Sequence, residues 1–189
     1  MYTISQLFIY PVKSLGGIEV AAAQLTDRGL QYDRRWMLVD LNNQFLTQRE
    51  HPDMCLLQTA IQDNALVVYH KHNPVDRVHL LLQPLHAMVT VKVQIWDDEC
   101  IADLVSDVAD AWFSAKLSMP CRLVYMPETE KRKVDPRYAS EKDITSFSDA
   151  YPLMIIGQAS LDDLNRRLAV PLSIDRFRPN IVFAGGLPY

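Results

Sequence analysis

Four polar clusters, each beside an apolar run, hold the side chains best suited to chemistry in this 189-residue sequence. Tyr10-Pro11-Val12-Lys13-Ser14 sets a rigid proline before a compact cation and a hydroxyl, a combination able to hold an anionic group. A surface lysine at a turn is the plainer alternative. Asp33-Arg34-Arg35-Trp36 puts two arginines at the head of a run that reads as buried. Arginine there must be paired or must touch an anion, and its fork matches phosphate or carboxylate. A salt bridge to Asp33 at a sheet edge would serve equally. In Phe147-Ser148-Asp149-Ala150-Tyr151 the hydroxyl and carboxylate could hydrogen-bond a heterocycle bearing N–H groups, or simply make a turn before Pro152. Arg176-Phe177-Arg178-Pro179-Asn180 alternates arginine with an aromatic ring, so one arginine can point inward and the other outward.

Other chemistries lack direct support. No P-loop, G-x-G-x-x-G, G-x-S-x-G or H-E-x-x-H occurs. His70 and His72 share one strand face with no third ligand evident, so a zinc site is not expected. Cys55, Cys100 and Cys121 are odd in number and far apart, as reduced, buried thiols of a cytoplasmic protein would be. The net charge of -4 argues against neutralising nucleic-acid phosphates in bulk, though a small basic pocket fits inside an acidic protein. The N-terminus has no basic stretch leading into an apolar one, and no run reaches the length of a membrane span, so neither secretion nor a membrane is expected.

The elements that must position these clusters read mainly as strands. Expected strands cover Ile4–Val12, Ile18–Leu25 after a Gly16-Gly17 turn, Arg35–Asp40 buried on both faces, Met54–Gln62 and Ala65–His70 about an Asp63-Asn64 hairpin, and Asp76–Leu82. Met88–Trp96 alternates, with Val89, Val91, Val93 and Ile95 on one face, and Asp97-Asp98 turns it into Glu99–Asp103. A helix is expected over Leu104–Leu117 with a Leu104, Val108, Trp112, Ala115 stripe, ending near Pro120. Cys121–Met126 reads as a strand and Pro127–Lys142, with Lys131-Arg132-Lys133, as a long exposed loop. Pro152–Ile156 is a further strand, and Ser160–Leu168 a helix with Ser160 and Asp163 at capping-box spacing. Asn180–Ala184 closes the list before Gly185-Gly186. The class is α+β, mainly antiparallel β.

Taken in order, the clusters resemble those of MOSC proteins, named for the C-terminal domain of molybdenum cofactor sulfurase. The resemblance is to the branch with an N-terminal β-barrel extension, which includes bacterial MOSC oxidoreductases and the mitochondrial amidoxime-reducing component. Six segments carry it: 10–14, 29–36, 45–49, 147–152, 159–165 and 177–182. It implies a β-barrel-like N-terminal domain over 1–118, then the first part of a MOSC barrel over 119–189. It further implies a molybdenum cofactor (molybdopterin) held by Lys13, Ser14, Arg34, Ser148, Asp149, Arg178 and Asn180. Arg35 departs from the family, which often has an apolar or aromatic residue there.

In the family the metal-ligating cysteine lies well beyond the Phe-Arg-Pro-Asn segment, and Cys55, Cys100 and Cys121 do not match it. The implied activity is a molybdenum oxidoreductase that reduces N-hydroxylated small molecules with electrons from an iron–sulfur or haem protein. The 189-residue chain is expected to be a C-terminally truncated, catalytically silent form. A non-enzymatic module carrying a pterin or pyridoxal phosphate is the alternative, although no lysine has a Schiff-base context in the sequence. A third reading is a β-rich scaffold whose charged loop, Pro127–Lys142, docks a partner through charges such as Lys131, Arg132 and Lys133.

Overall fold

Trp36, Met37, Leu38 and Val39 are apolar on both sides of the chain, and the fold buries both sides. They form a strand at the centre of a computed structural model that describes residues 1–84 and 89–189. Numbered in chain order, the described strands are β1 (Thr3–Ile9), β2 (Ile18–Glu19), β3 (Leu25–Thr26), β4 (Gly29–Leu30), β5 (Trp36–Val39), β6 (Leu57–Gln62), β7 (Ala65–His70), β8 (Asn73–Leu81), β9 (Thr90–Ile95), β10 (Asp98–Leu104), β11 (Arg122–Tyr125), β12 (Ile155–Gly157) and β13 (Ile181–Ala184). Two α-helices, α1 (Asp107–Leu117) and α2 (Gln158–Asn165), interrupt them.

One sheet runs β5-β11-β10-β9, all antiparallel. Period-two alternation sends Trp36, Leu38, Leu123 and Tyr125 into one core with α1 and the β6-β7-β8 meander, and Met37, Val39, Val124 and Met126 into a second core with Phe147. A second sheet, β12-β13-β1-β2, joins the two ends of the chain. The architecture is α+β and mainly antiparallel, as expected. Among the described strands the exception is the parallel β12–β13 pair, whose crossover is α2. Three of the described strand pairings cross the expected 118/119 boundary: β11 with β5, β11 with β10, and β13 with β1.

Several elements match the expected ones closely. β7 spans 65–70, and Asp63 and Asn64 both take positive φ (49° and 59°), the turn that twists a tight hairpin correctly. Other expectations require correction. The strand expected over 18–25 survives only as β2 and β3, since the Ala21–Ala23 run offers little side chain to pack. Residues 52–56 form a 3-10 turn ahead of β6, with Pro52 supplying a preset φ at its start. β9 begins at Thr90; Met88 lies outside the described residues, and Val89 is exposed.

The hairpin after β9 turns at Trp96-Asp97, one residue earlier than expected. α1 buries Ala109, Phe113 and Leu117, leaving Val108 exposed, because Leu104 belongs to β10 and the helix takes its phase from its Ser106 cap. The Ser106 hydroxyl accepts from the Ala109 N–H at 3.1 Å. α2 starts at Gln158 with Gly157 as a cap that has no side chain to offer, so the Ser160–Asp163 capping box does not form; Asp163 pairs with Arg166 and Arg167 instead. The 127–142 loop is not uniformly exposed, since Arg132 and Val134 are buried. Cys100 and Cys121 are buried thiols, as expected, but Cys55 is exposed.

Candidate functional site

Short backbone links bring distant clusters side by side. Beyond β1 the chain bends at Pro11 and turns at Lys13-Ser14, and the Arg34 N–H donates to the Tyr10 carbonyl at 2.8 Å while the Lys13 N–H donates to the Trp36 carbonyl at 2.8 Å. The Phe147 N–H donates to the Arg34 carbonyl at 2.9 Å, and the Phe8 N–H to the Asn180 carbonyl at 2.8 Å. Residues 8–13 therefore lie between 34–36 and 180, with 147–149 alongside. The outcome is one cavity of about 660 Å³ whose lining includes Lys13, Ser14, Arg34, Ser148, Asp149, Arg178 and Asn180. All seven residues named from the sequence thus meet at one place.

Asp33 and Asn180 organise this wall from beneath. The buried Asp33 carboxylate accepts from the Tyr10 N–H (2.8 Å), Arg34 Nη1 (2.6 Å) and Asn180 Nδ2 (3.0 Å). Asn180 also donates to the Phe8 carbonyl, and its Oδ1 accepts from Arg34 Nη1 and the Met154 N–H. Its amide is wholly occupied inside the protein, and its side chain acts on the cavity by holding Arg34. The salt bridge to Asp33 and the cavity position of Arg34 occur together.

Arg34 and Arg178 both lie against the Tyr10 ring, their guanidinium carbons 4.5 Å and 4.3 Å from its centroid. A Cβ at Gly17 would come within 2.4 Å of that ring, so glycine there makes room for Tyr10. Burial pushes the Tyr10 phenol up to about 12, outweighing both guanidiniums, so it stays neutral. Desolvation and the neighbouring Arg34 bring Arg178 down to about 10, which leaves it charged at neutral pH.

Lys13 is buried, and its ammonium donates to the Phe147 carbonyl (2.9 Å) and to Asp149 Oδ1 (2.6 Å). Desolvation lowers its pKa to about 8 against the opposing pull of Asp149. Partial burial of Asp149 acts upward, but the Lys13 charge and hydrogen bonds from Lys13 and Trp96 hold its carboxyl below the usual range.

Five cations line the cavity, namely Lys13, Arg34, Arg49, Arg176 and Arg178, against one carboxylate, Asp149. The basic pocket that an acidic chain leaves room for is present. Two lining residues keep unspent donors: the Ser148 hydroxyl and Arg178 Nη2 are buried without a hydrogen-bond partner. Such atoms cost free energy unless something accepts from them. Ser14, Arg34, Trp96 and Arg178 all hold positive φ (65°, 50°, 52° and 56°), a strained backbone state concentrated at this wall.

Two residues here escaped the sequence reading. Arg132, read as part of a charged exposed stretch, is buried beneath the 146–149 segment. Its guanidinium donates to the carbonyls of Ser146 (2.9 Å), Ser148 (2.6 Å) and Asp149 (3.1 Å) and pairs with Asp98. Only its place between two lysines was visible, and composition hid its role. Trp96, read as the last residue of a strand, donates its indole N–H to Asp149 Oδ1 at 3.2 Å. Arg35 turns away from the cavity, its guanidinium donating to Glu128 and to the Met126 carbonyl. No cysteine lines the cavity, and the described residues contain no group of three or more His, Cys, Asp or Glu able to hold a metal.

Residues 1–120 match the family model for the MOSC N-terminal beta barrel domain, and residues 142–188 match that for the MOSC domain. The chain is 32% identical over 195 residues to mitochondrial amidoxime-reducing component 1 of Mus musculus, covering 97% of this chain and 56% of that protein. It is 30% identical over 203 residues to molybdenum cofactor sulfurase of Oryza sativa subsp. japonica, covering 98% of this chain and 24% of that protein. The Homo sapiens amidoxime-reducing component 1 matches at 31% over 195 residues. The chain thus spans about half the length of the amidoxime-reducing relatives and about a quarter of the sulfurase.

Proposed function

The chain belongs to the MOSC family, and from that membership we propose that its cavity is the anion-holding wall of a molybdopterin site in an oxidoreductase of amidoxime-reducing type. One observation carries the reading: a cation-rich cavity with two buried, unspent donors, Arg178 Nη2 and the Ser148 hydroxyl. The residues fit such a group. A phosphate takes charge-assisted bonds from Lys13, Arg34 and Arg178, and a ring bearing N–H and carbonyl groups finds both kinds of partner at Ser148 and Asp149. The cavity volume of about 660 Å³ lies within the ordinary span for small-molecule sites. When bound, molybdenum in this cofactor supplies a centre that gives electrons to an N-hydroxylated small molecule. Those electrons would come from an iron–sulfur or haem protein.

The chain's own residues do the holding. Asp33 and Asn180 fix Arg34, Tyr10 presents its face to Arg34 and Arg178, and Arg132 sets the height of the Ser148–Asp149 backbone. At neutral pH Lys13 keeps its proton on Nζ, between the Phe147 carbonyl and Asp149. Because no cysteine lines the cavity, the residues described here hold the anionic end of the ligand and leave the metal to other ligands. Purified protein should bind a pterin monophosphate by calorimetry. Arg178→Met should weaken that binding roughly tenfold or more, the effect of one lost charge-assisted contact. Equal affinity in wild type and variant would end the proposal. Molybdenum content of the 189-residue chain from molybdate-fed cells should stay far below one per chain; stoichiometric metal would show that it supplies a thiolate or equivalent itself.

A second reading, a module that carries pyridoxal phosphate, has one observation in its favour. Lys13 offers a buried amine lowered to about 8, a Schiff-base context the sequence did not reveal. A Schiff base with that amine shifts the absorbance away from that of the free aldehyde and stays with the protein; desalted protein that keeps no such absorbance after incubation with pyridoxal phosphate would dismiss this reading.

A further inference from the structure

Trp96 occupies a hairpin position that glycine or asparagine normally fills, because φ of 52° presses a side chain against its own backbone. It is nonetheless the largest of side chains, 41% exposed, with its ring held from three directions. Its N–H donates to Asp149, the Phe45 ring meets it edge-to-face at 4.8 Å, and the Arg49 guanidinium lies 5.4 Å from its centroid. Beside it a recess of about 280 Å³, lined by Gln44, Phe45, Thr47, Arg49, Glu50 and Trp96, adjoins the main cavity and shares Thr47, Arg49 and Trp96 with it. An exposed aromatic kept in a strained backbone state and locked in orientation is a prepared surface, since a ligand meeting it loses no further side-chain freedom.

We propose that this recess is a second binding subsite, which takes a planar aromatic ring of a small molecule beside the anion-holding wall. The geometry commits to that class. Phe45 and Trp96 offer π-surface for offset or edge-to-face contact, and the Arg49 guanidinium adds a planar cation that itself stacks on rings. A recess of about 280 Å³ is at the lower end for whole ligands and suits one ring system with short substituents. The hydrogen bond from Trp96 to Asp149, itself bonded to Lys13, ties the position of the ring to the anion wall. Within the molybdopterin reading, the recess is where the aromatic part of a substrate rests, although ring binding itself does not depend on that reading.

Benzamide and cyclohexanecarboxamide, alike in size and polarity but differing in planarity, are the probes. Saturation-transfer NMR on the whole chain should show benzamide bound at least about tenfold more tightly than its saturated counterpart. Benzamide should remain bound under saturating inorganic phosphate, because the two lobes fill independently. Phe45→Leu and Trp96→Leu should each abolish the preference for the planar amide; Phe45→Leu, at an ordinary backbone position, decides the matter if Trp96→Leu does not fold. Equal binding of both amides, displacement of benzamide by phosphate, or an unchanged preference in Phe45→Leu would each overturn the subsite. Benzamide binding by a chain that binds neither phosphate nor pterin phosphate would uphold the recess while removing the anion-wall reading.

Discussion

Lys13 gives the sharpest statement at the scale of single residues. Burial lowers its pKa from 10.5 to about 8, so its ammonium is lost on raising the pH through a range where exposed lysines stay charged. Affinity for inorganic phosphate should therefore fall between about pH 7 and about pH 9, and Lys13→Met should bind weakly with most of that slope removed. A wild-type affinity flat across this range, followed by calorimetry, would contradict the assignment. The stability effect has the opposite sense. Between about pH 8 and about pH 10.5 the unfolded chain holds a proton here that the folded chain does not, so this group makes stability rise with pH. Asn180 teaches a different lesson at this scale. The family resemblance implied ligand contact for Asn180, and its amide is spent on Phe8, Asp33, Arg34 and Met154.

At the scale of elements, the 146–149 segment has little regular structure and depends on Arg132 for its shape. Three carbonyls converge on one guanidinium, a geometry that a lysine's single ammonium on a flexible stem does not reproduce. Arg132→Lys should therefore weaken phosphate binding by roughly tenfold while far-UV circular dichroism remains unchanged. Binding equal to wild type in Arg132→Lys would show that the segment holds its shape without the fan. The same arginine corrects the idea of a charged docking loop. Reversing 131–133 as a block would disrupt the cavity floor as well as the surface, so of the three Lys131 and Lys133 are the ones that probe docking at the 127–142 loop.

For the whole molecule, the ordering of stability follows from which sheet is buried twice. β5 and β11 have cores on both faces, whereas β3 and β4 form an isolated two-stranded pair with Leu25 exposed. Amide hydrogen exchange should be slowest in 36–39 and 122–125 and fastest in 25–26, with a spread set by local against global opening. Faster exchange in β5 and β11 than in the β6-β7-β8 meander would mean that the meander carries the stable core. The β1–β13 pairing joins the two ends of the chain, which is why residues as remote as 13, 34, 148 and 178 share one cavity.

The sequence by itself determined the chemistry on offer and most of the strands. Alternation found β9, a doubly apolar run found β5, Asp63-Asn64 found its hairpin with β7 beside it, and the ordered clusters found the family. These signals are local: period, turn chemistry and residue type act over a few positions. Tertiary structure alone decided the phase of α1, the turn at Trp96, the parallel β12–β13 pair and the burial of Arg132. It also decided which polar atoms are spent and which are free. Each of those depends on what a segment packs against, and packing partners more than a hundred residues away leave no mark on the local pattern.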